Sequence, residues 1–384
     1  MRPLKMATKV NQCLKPFEVC SILFGTKLTI ATRFDKLSIV MSTYVYILLI
    51  QSIYNTLTFD HDDHQNFRRI FLKFSQVSSM LIAIGLQLQL VFNRKRLMSN
   101  LRSNLKILSP GSVQKLRRLA ILSLLMYIST TIIWSLPMVT SILKYPESNV
   151  LLYFDNSRLN EYYELKLIVT AINLIFTIPS LNWIGFTTCF YYFYFQSIHL
   201  NSVDILDYYL KQWSMIANKQ QVAPQSSLSI KKQLMNLKSV MARKERFESD
   251  MNLWPLLWFG YFLTTCAGYI VGLGDQLYEL TYVVLLIIVA IVMTAIEFFT
   301  VIKIDQSMSS EQSLGQKLID TIETNRYEPL TIDHLTLINE IRRLVKFDIT
   351  GCQLFSLNKP FLLSFSSGLV TFSVLFIQIT SGSI

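Results

Sequence analysis

The sequence predicts an all-α membrane protein with seven transmembrane helices, its N-terminus cytoplasmic and its C-terminus extracellular. Three observations predict it. The 384 residues are 51% hydrophobic and only 16% charged, where soluble domains carry roughly 25% charge, and the mean hydropathy is +0.38. Seven stretches stay apolar for about 20 residues, the length that crosses a hydrocarbon core about 30 Å thick. Between these stretches the basic residues crowd onto one side.

The seven stretches are 37–57, 74–92, 120–143, 167–195, 254–273, 282–302 and 361–380. The second is weakened by Gln76, Gln87 and Gln89. Backbone groups in lipid must be satisfied internally, so the stretches are helices. They are too long, and alternate too little, for barrel strands.

Orientation follows from Lys and Arg, which stay on the cytoplasmic side. The segment 1–36 and the connections 93–119, 196–253 and 303–360 hold thirty of them. The connection 93–119 has eight and no acidic residue. The opposite side holds far fewer, Arg68, Arg69, Lys144, Arg158 and Lys166 among them. The net charge of +11 thus reads as topology plus attraction to anionic inner-leaflet lipid. No nucleic-acid partner is expected, because the basic residues are divided among membrane-flanking segments.

Cys13, Cys20 and Cys352 fall in cytoplasmic segments, and Cys189 and Cys266 within spans. No external disulfide is expected. No N-x-Ser/Thr sequon occurs, and no cleavable signal peptide is expected: the early apolar run 19–26 is short and is followed by Lys27.

Seven helices with the N-terminus inside invert the G-protein-coupled receptor arrangement. That family's external cysteines, Asp-Arg-Tyr and late Asn-Pro are absent as well. External connections run to roughly 16, 23 and 8 residues, while two internal ones approach 60. Within the internal ones, 200–213, 230–253, 311–323 and 330–345 show helical apolar spacing with charged faces. They read as cytoplasmic extensions of the fourth to seventh helices, with a flexible break near 220–229 at Pro224. Such extensions serve either as an assembly surface or as plain helix ends in solvent.

In the last span Ser364, Ser367, Thr371, Val374 and Gln378 follow steps of 3, 4, 3 and 4, so they form one stripe. A polar stripe in a membrane needs a partner or water. Either it packs on another helix of the same subunit, or several copies of this helix surround a water-filled pore.

Residues 371–379, Thr-Phe-Ser-Val-Leu-Phe-Ile-Gln-Ile, resemble the signature of the insect gustatory receptors: Thr-Tyr, five mainly apolar residues, then Gln-Phe near the C-terminus. Phe372 stands for Tyr, and Ile379 for Phe. Residues 351–358, Gly-Cys-Gln-Leu-Phe-Ser-Leu-Asn, resemble the lead-in to the family's last span, and Leu14-Lys15-Pro16-Phe17 through Gly25 resembles its N-terminal segment. This resemblance implies a tastant-gated, weakly selective cation channel in the plasma membrane of sensory neurons. It implies a homo- or heterotetramer whose seventh helices line the pore and whose cytoplasmic helices (303–360, with the connection 196–253) form an anchor domain. The expected divisions are 1–36, cytoplasmic; 37–302, spans one to six; 303–360, anchor; 361–384, pore helix and extracellular C-terminus. Gln378, Ile379, Val374, Thr371 and Phe372 would form the pore and its outer gate, closed by an apolar ring. A ligand pocket would lie in the outer half of the bundle, where Trp134, Thr131, Asn173, Thr177, Thr265 and Tyr269 are candidates. The chain is short for the sugar-receptor branch, which points to a bitter or orphan ligand.

The alternatives are a metabotropic seven-helix receptor, which needs the opposite topology, and a secondary transporter, which usually shows internal repeats and broken charged helices. No catalytic constellation or nucleotide glycine pattern appears, so neither an enzyme nor a cofactor is expected. His61-Asp62-Asp63-His64 has metal-ligand types but reads as a solvated loop. Glu297, the one acidic residue within a span, either marks an ion path or pairs with a basic residue at the inner face. The aromatic run 190–195 reads as an interfacial belt.

Overall fold

The computed structural model describes residues 13–17, 50, 67–144, 183–218, 227–273, 280–324 and 331–381. The described residues contain α1 (Phe67–Leu105), α2 (Pro110–Lys144), α3 (Trp183–Asn218), α4 (Ser227–Met251), α5 (Leu253–Leu273), α6 (Leu280–Glu323) and α7 (Ile332–Val345). A hairpin follows, β1 (Thr350–Gly351) and β2 (Phe355–Ser356), and then α8 (Lys359–Ser381). Residues 13–17 form a short helical turn.

The stretches 74–92, 120–143, 254–273, 282–302 and 361–380 lie within α1, α2, α5, α6 and α8. The stretch 167–195 enters the description at Trp183 in α3. Apart from Ile50, the stretch 37–57 lies outside the described residues. Among the described residues two stretches, Val77–Leu105 and Pro110–Ile133, are long and apolar enough to cross a membrane by length and composition.

Local chemistry sets the helix ends. Ser109 caps α2: its Oγ accepts from the Ser112 N–H at 3.2 Å, and Pro110, which has no N–H to lose, occupies the first helical position. Asp204 of α3 joins this cap, accepting from the Ser109 N–H at 3.3 Å and the Ser112 hydroxyl at 2.9 Å. A carboxylate suits the positive end of the α2 dipole. Between α4 and α5 the helix breaks at Asn252, where Pro255 has no N–H to offer the Met251 carbonyl. Thr331 and His334 form a reciprocal capping box at the start of α7. Asn358 caps α8, its Oδ1 accepting from the Phe361 N–H at 3.0 Å.

Two apolar cores result. The first joins residues 13–17, α1, α2, α5, the earlier half of α3, the end of α4 and the middle of α6, with Leu14, Phe190, Phe193 and Trp254 fully buried. The second joins the later halves of α3 and α6 with α4 and α7, around Leu206, Leu237, Leu318 and Ile341. Among the described residues α3, α4 and α6 each contribute to both. The aromatic run 190–195 is not an interfacial belt. Phe190, Tyr191, Phe193 and Tyr194 are at most 1% exposed. The reason is that α3 packs against α1, α2, α4 and α6 together, and a helix enclosed on every side must be apolar all round.

Nor is 330–345 an extension of the last helix. α7 stops at Val345, and the hairpin separates it from α8. The expected break near 220–229 lies partly outside the described residues; α3 ends at Asn218 and α4 begins at Ser227.

The hairpin turn is strained. Cys352 and Gln353 have φ of 52° and 60°, and the Leu354 N–H donates to the Gly351 carbonyl at 2.9 Å. This is a primed turn, which needs positive φ at both central positions and favours Asn-Gly there. Gln353→Gly is therefore expected to stabilise the protein by about 0.5–1 kcal/mol. A thermal melt of the purified protein checks it; an unchanged or lower midpoint contradicts the strain argument.

Candidate functional site

Helix α8 has one face against its own subunit and one face exposed. Phe361 and Phe365 pack edge-on against Phe259 of α5, with ring centroids 4.7 and 4.8 Å away. Phe365 also meets Phe262 at 5.7 Å. On the other side Ser364, Ser367, Thr371, Val374 and Gln378 are all exposed, Val374 by 48%. The whole predicted stripe thus faces away from the subunit's bundle. Thr371 satisfies its hydroxyl on its own helix, donating to the Ser367 carbonyl at 2.9 Å. Phe372 is half-buried, on the inward side. Ile379 lies in α8, with its side chain outside the described set.

The root of α8 is tied down from several directions. Phe355 of β2 stacks on Phe361 at 4.2 Å with a 7° interplanar angle, and meets Phe259 edge-on at 5.7 Å. The Cys352 N–H donates to the Asn252 carbonyl at the α4–α5 break, at 3.0 Å. The Thr350 hydroxyl donates to Glu248 of α4 at 2.6 Å. Lys359 pairs with Asp305 of α6 at 3.6 Å.

Below this root, where the two cores meet, lies a buried charge cluster that the sequence reading missed. Glu311 of α6 is 2% exposed. Its Oε1 accepts from Lys244 of α4 at 2.5 Å and from the Ser202 hydroxyl of α3 at 2.5 Å. Its Oε2 lies 3.2 Å from His199 Nδ1; a carboxylate only accepts, so Nδ1 carries the proton. Lys244 also donates to the Leu344 carbonyl at the end of α7, at 3.2 Å, and sits 5.4 Å from the centre of the Phe347 ring. Burial alone would raise the Glu311 carboxyl. Lys244 and His199 outweigh it and hold the group below its ordinary value. A second buried carboxylate, Asp250 of α4, takes Arg96 at 2.6 Å and Asn100 at 2.9 Å, both from α1.

A signal for the Glu311 cluster was present in the sequence. Positions 195, 199, 202, 206, 209 and 213 of α3 step by 4 and 3, as do 237, 240, 244, 247 and 251 of α4 and 304, 308, 311, 315, 318 and 322 of α6. His199, Lys244 and Glu311 each interrupt an otherwise mainly apolar stripe. A charge in such a stripe demands a partner from a neighbouring stripe.

The pocket candidates are only partly placed. Thr131 of α2 is half-buried, its hydroxyl donating to the Tyr127 carbonyl at 2.8 Å. Thr265 of α5 is half-buried too. α2 packs mainly on α3 and α6, whereas α5 packs mainly on α1, so these two threonines belong to different helix pairs. Trp134 and Tyr269 lie in α2 and α5, with side chains outside the described set, and Asn173 and Thr177 lie outside the described residues. So does His61-Asp62-Asp63-His64. Glu297 is buried at 6% exposure; it forms no salt bridge among the described residues, and its Oε2 has no hydrogen-bond partner there. The described residues contain no group of three His, Cys, Asp or Glu placed to hold a metal.

No protein-family model matches the sequence, and no curated protein matches it. Solved structures do match. The olfactory receptor OR5 of the insect Machilis hrabei, in complex with eugenol, superposes with a TM-score of 0.67 at 13% identity, over 98% of this chain and 99% of that one. The same receptor in a second structure gives 0.65 at 13% identity, over 95% and 97%. The chain has the fold of an insect olfactory receptor. The likeness spans nearly the full length of both chains, so α8 and its root belong to the olfactory-receptor fold rather than to an appendage. These neighbours are receptors, not enzymes.

Proposed function

We propose that the chain is an insect chemoreceptor subunit of the gustatory type, a ligand-gated and weakly selective cation channel whose pore is lined by α8. The observation that carries this is the polar stripe of α8, whose Ser364, Ser367, Thr371 and Val374 are exposed on one side of the helix. A polar membrane face of this kind needs water or copies of itself. A ring of subunits around a wet axis provides both. The olfactory-receptor fold supports the reading, and the Thr371…Gln378 spacing supports the gustatory type.

In this reading the protein sits in the plasma membrane with its N-terminus inside, and four subunits, identical or mixed, close the pore. The α3–α4–α6–α7 core forms the cytoplasmic anchor. Gln378 and Ile379 stand near the outer mouth, with Val374 and Thr371 one and two turns deeper. An apolar ring at the mouth blocks ions by dewetting. Selectivity is weak because α8 carries no acidic residue. The ligand is a small organic molecule, bitter or orphan rather than sugar.

The test is whole-cell current from cells expressing this chain alone, with G-protein signalling blocked. The panel holds bitter compounds, sugars and eugenol, the last because the OR5 structure contains it. A ligand-evoked cation current is expected, reduced several-fold per surface receptor by Gln378→Ala. A response that disappears under the block returns the metabotropic alternative.

A further inference from the structure

The Glu311 cluster does more than neutralise charge. Four separate elements meet in it: His199 and Ser202 from α3, Lys244 from α4, Glu311 from α6 and the Leu344 carbonyl from α7. Its side chains are nearly inaccessible; His199 is 7% exposed and Lys244 7%. Lys244 grips the last turn of α7, immediately before the segment that becomes the hairpin and the root of α8. That segment is held in turn by Thr350 on Glu248 of α4 and by Cys352 on Asn252. A continuous bonded path therefore runs from α3 and α6, through Lys244 and the end of α7, to the first turn of α8.

Stability alone does not explain such a cluster. Apolar residues of similar volume usually replace a buried ion pair at little cost, whereas a buried pair fixes register between elements. Here three mainly apolar stripes are interrupted at one level, and each interruption meets the others. Slippage of any of these helices along its neighbours would strand a charge in an apolar core.

We propose that the buried chain Ser202/His199–Glu311–Lys244–Leu344 carbonyl is a gating clamp, which fixes the root of α8 against α3 and α6 and on which the closed state of the pore depends. Glu311 and Lys244 are its positioning residues. The clamp rests on the reading of α8 as the pore helix, and its test separates the two.

The test uses the full-length receptor with the triple substitution His199→Leu, Lys244→Met and Glu311→Leu, which removes every charge of the clamp and leaves none unpaired. Spin labels are placed by orthogonal amino acids at Met215 of α3 and Leu363 of α8, exposed by 60% and 72%. Unlabelled subunits are kept in excess. The triple variant is expected to reach the surface far better than Lys244→Met alone. Its 215–363 distance distribution is expected to broaden, and its ligand-independent current to rise several-fold over wild type. Glu311→Gln, nearly isosteric and read per receptor at the surface, is the second variant and is expected to shift both readouts in the same direction. Wild-type distances in both variants overturn the clamp, even where ligand-evoked current is normal. Broadened distances with a ligand response that is abolished by G-protein block keep the clamp and overturn the pore reading. Broadened distances with wild-type basal current overturn the dependence of closure on the clamp.

Discussion

On the channel reading proposed above, Gly351→Ala is expected to remove most of the ligand-evoked current and to lower stability by about 1–3 kcal/mol. A Cβ at position 351 would fall within 3 Å of three atoms of the Phe355 ring. That ring cannot step aside, because it is stacked on Phe361 at 4.2 Å and closed at its edge by Phe259. The added methyl must therefore push the hairpin, and with it the first turn of α8. The functional loss should exceed what the loss of stability predicts, since α8 is displaced even in molecules that fold. Current per surface receptor, beside a thermal melt, checks this. A current that falls only in proportion to surface receptor would show the hairpin to be a passive link.

Trp254→Ala is expected to have the largest effect on stability, about 3–5 kcal/mol, with Trp254→Phe costing less. Trp254 is fully buried in the first turn of α5. Its ring meets Phe190 at 6.2 Å, Tyr191 at 6.4 Å and Trp258 at 6.4 Å. The truncation opens a cavity bounded by rings of two long helices that cannot collapse into it. The detergent-solubilised protein should lose its monodisperse peak about 4–6 °C earlier. An unchanged midpoint would mean that the aromatic core relaxes freely.

The helices were legible because their evidence is long: about 20 apolar residues in a row outweigh any local preference. The hairpin was not. Two-residue strands show no alternation, and its primed turn carries Cys-Gln rather than Asn-Gly. The aromatic run 190–195 misled because composition reports apolarity and not what surrounds a helix; lipid and four neighbouring helices ask for the same residues. The Glu311 cluster was half-legible. Each of its stripes can be read from spacing, but which stripes face one another depends on packing between helices more than 60 residues apart. A pocket is hard to read for a related reason, since convergence of side chains from several helices has no one-dimensional signature. The α8 stripe was legible as a stripe, and the structure added the side on which it lies.

Helices α3 and α6 have 36 and 44 residues and contain no proline, which makes them rods of roughly 54 and 66 Å at 1.5 Å per residue. Each threads both apolar cores, and the buried charges join them near the middle of α3 and about two-thirds of the way along α6. That junction is a fulcrum. A tilt of about 5° on an arm of about 30 Å moves its tip by roughly 2.5 Å, and the opposite arm swings the other way. A ligand that shifts one end of these rods by less than the width of an atom would thus reach the far core as a displacement of similar size and reversed direction, with no local unwinding anywhere between.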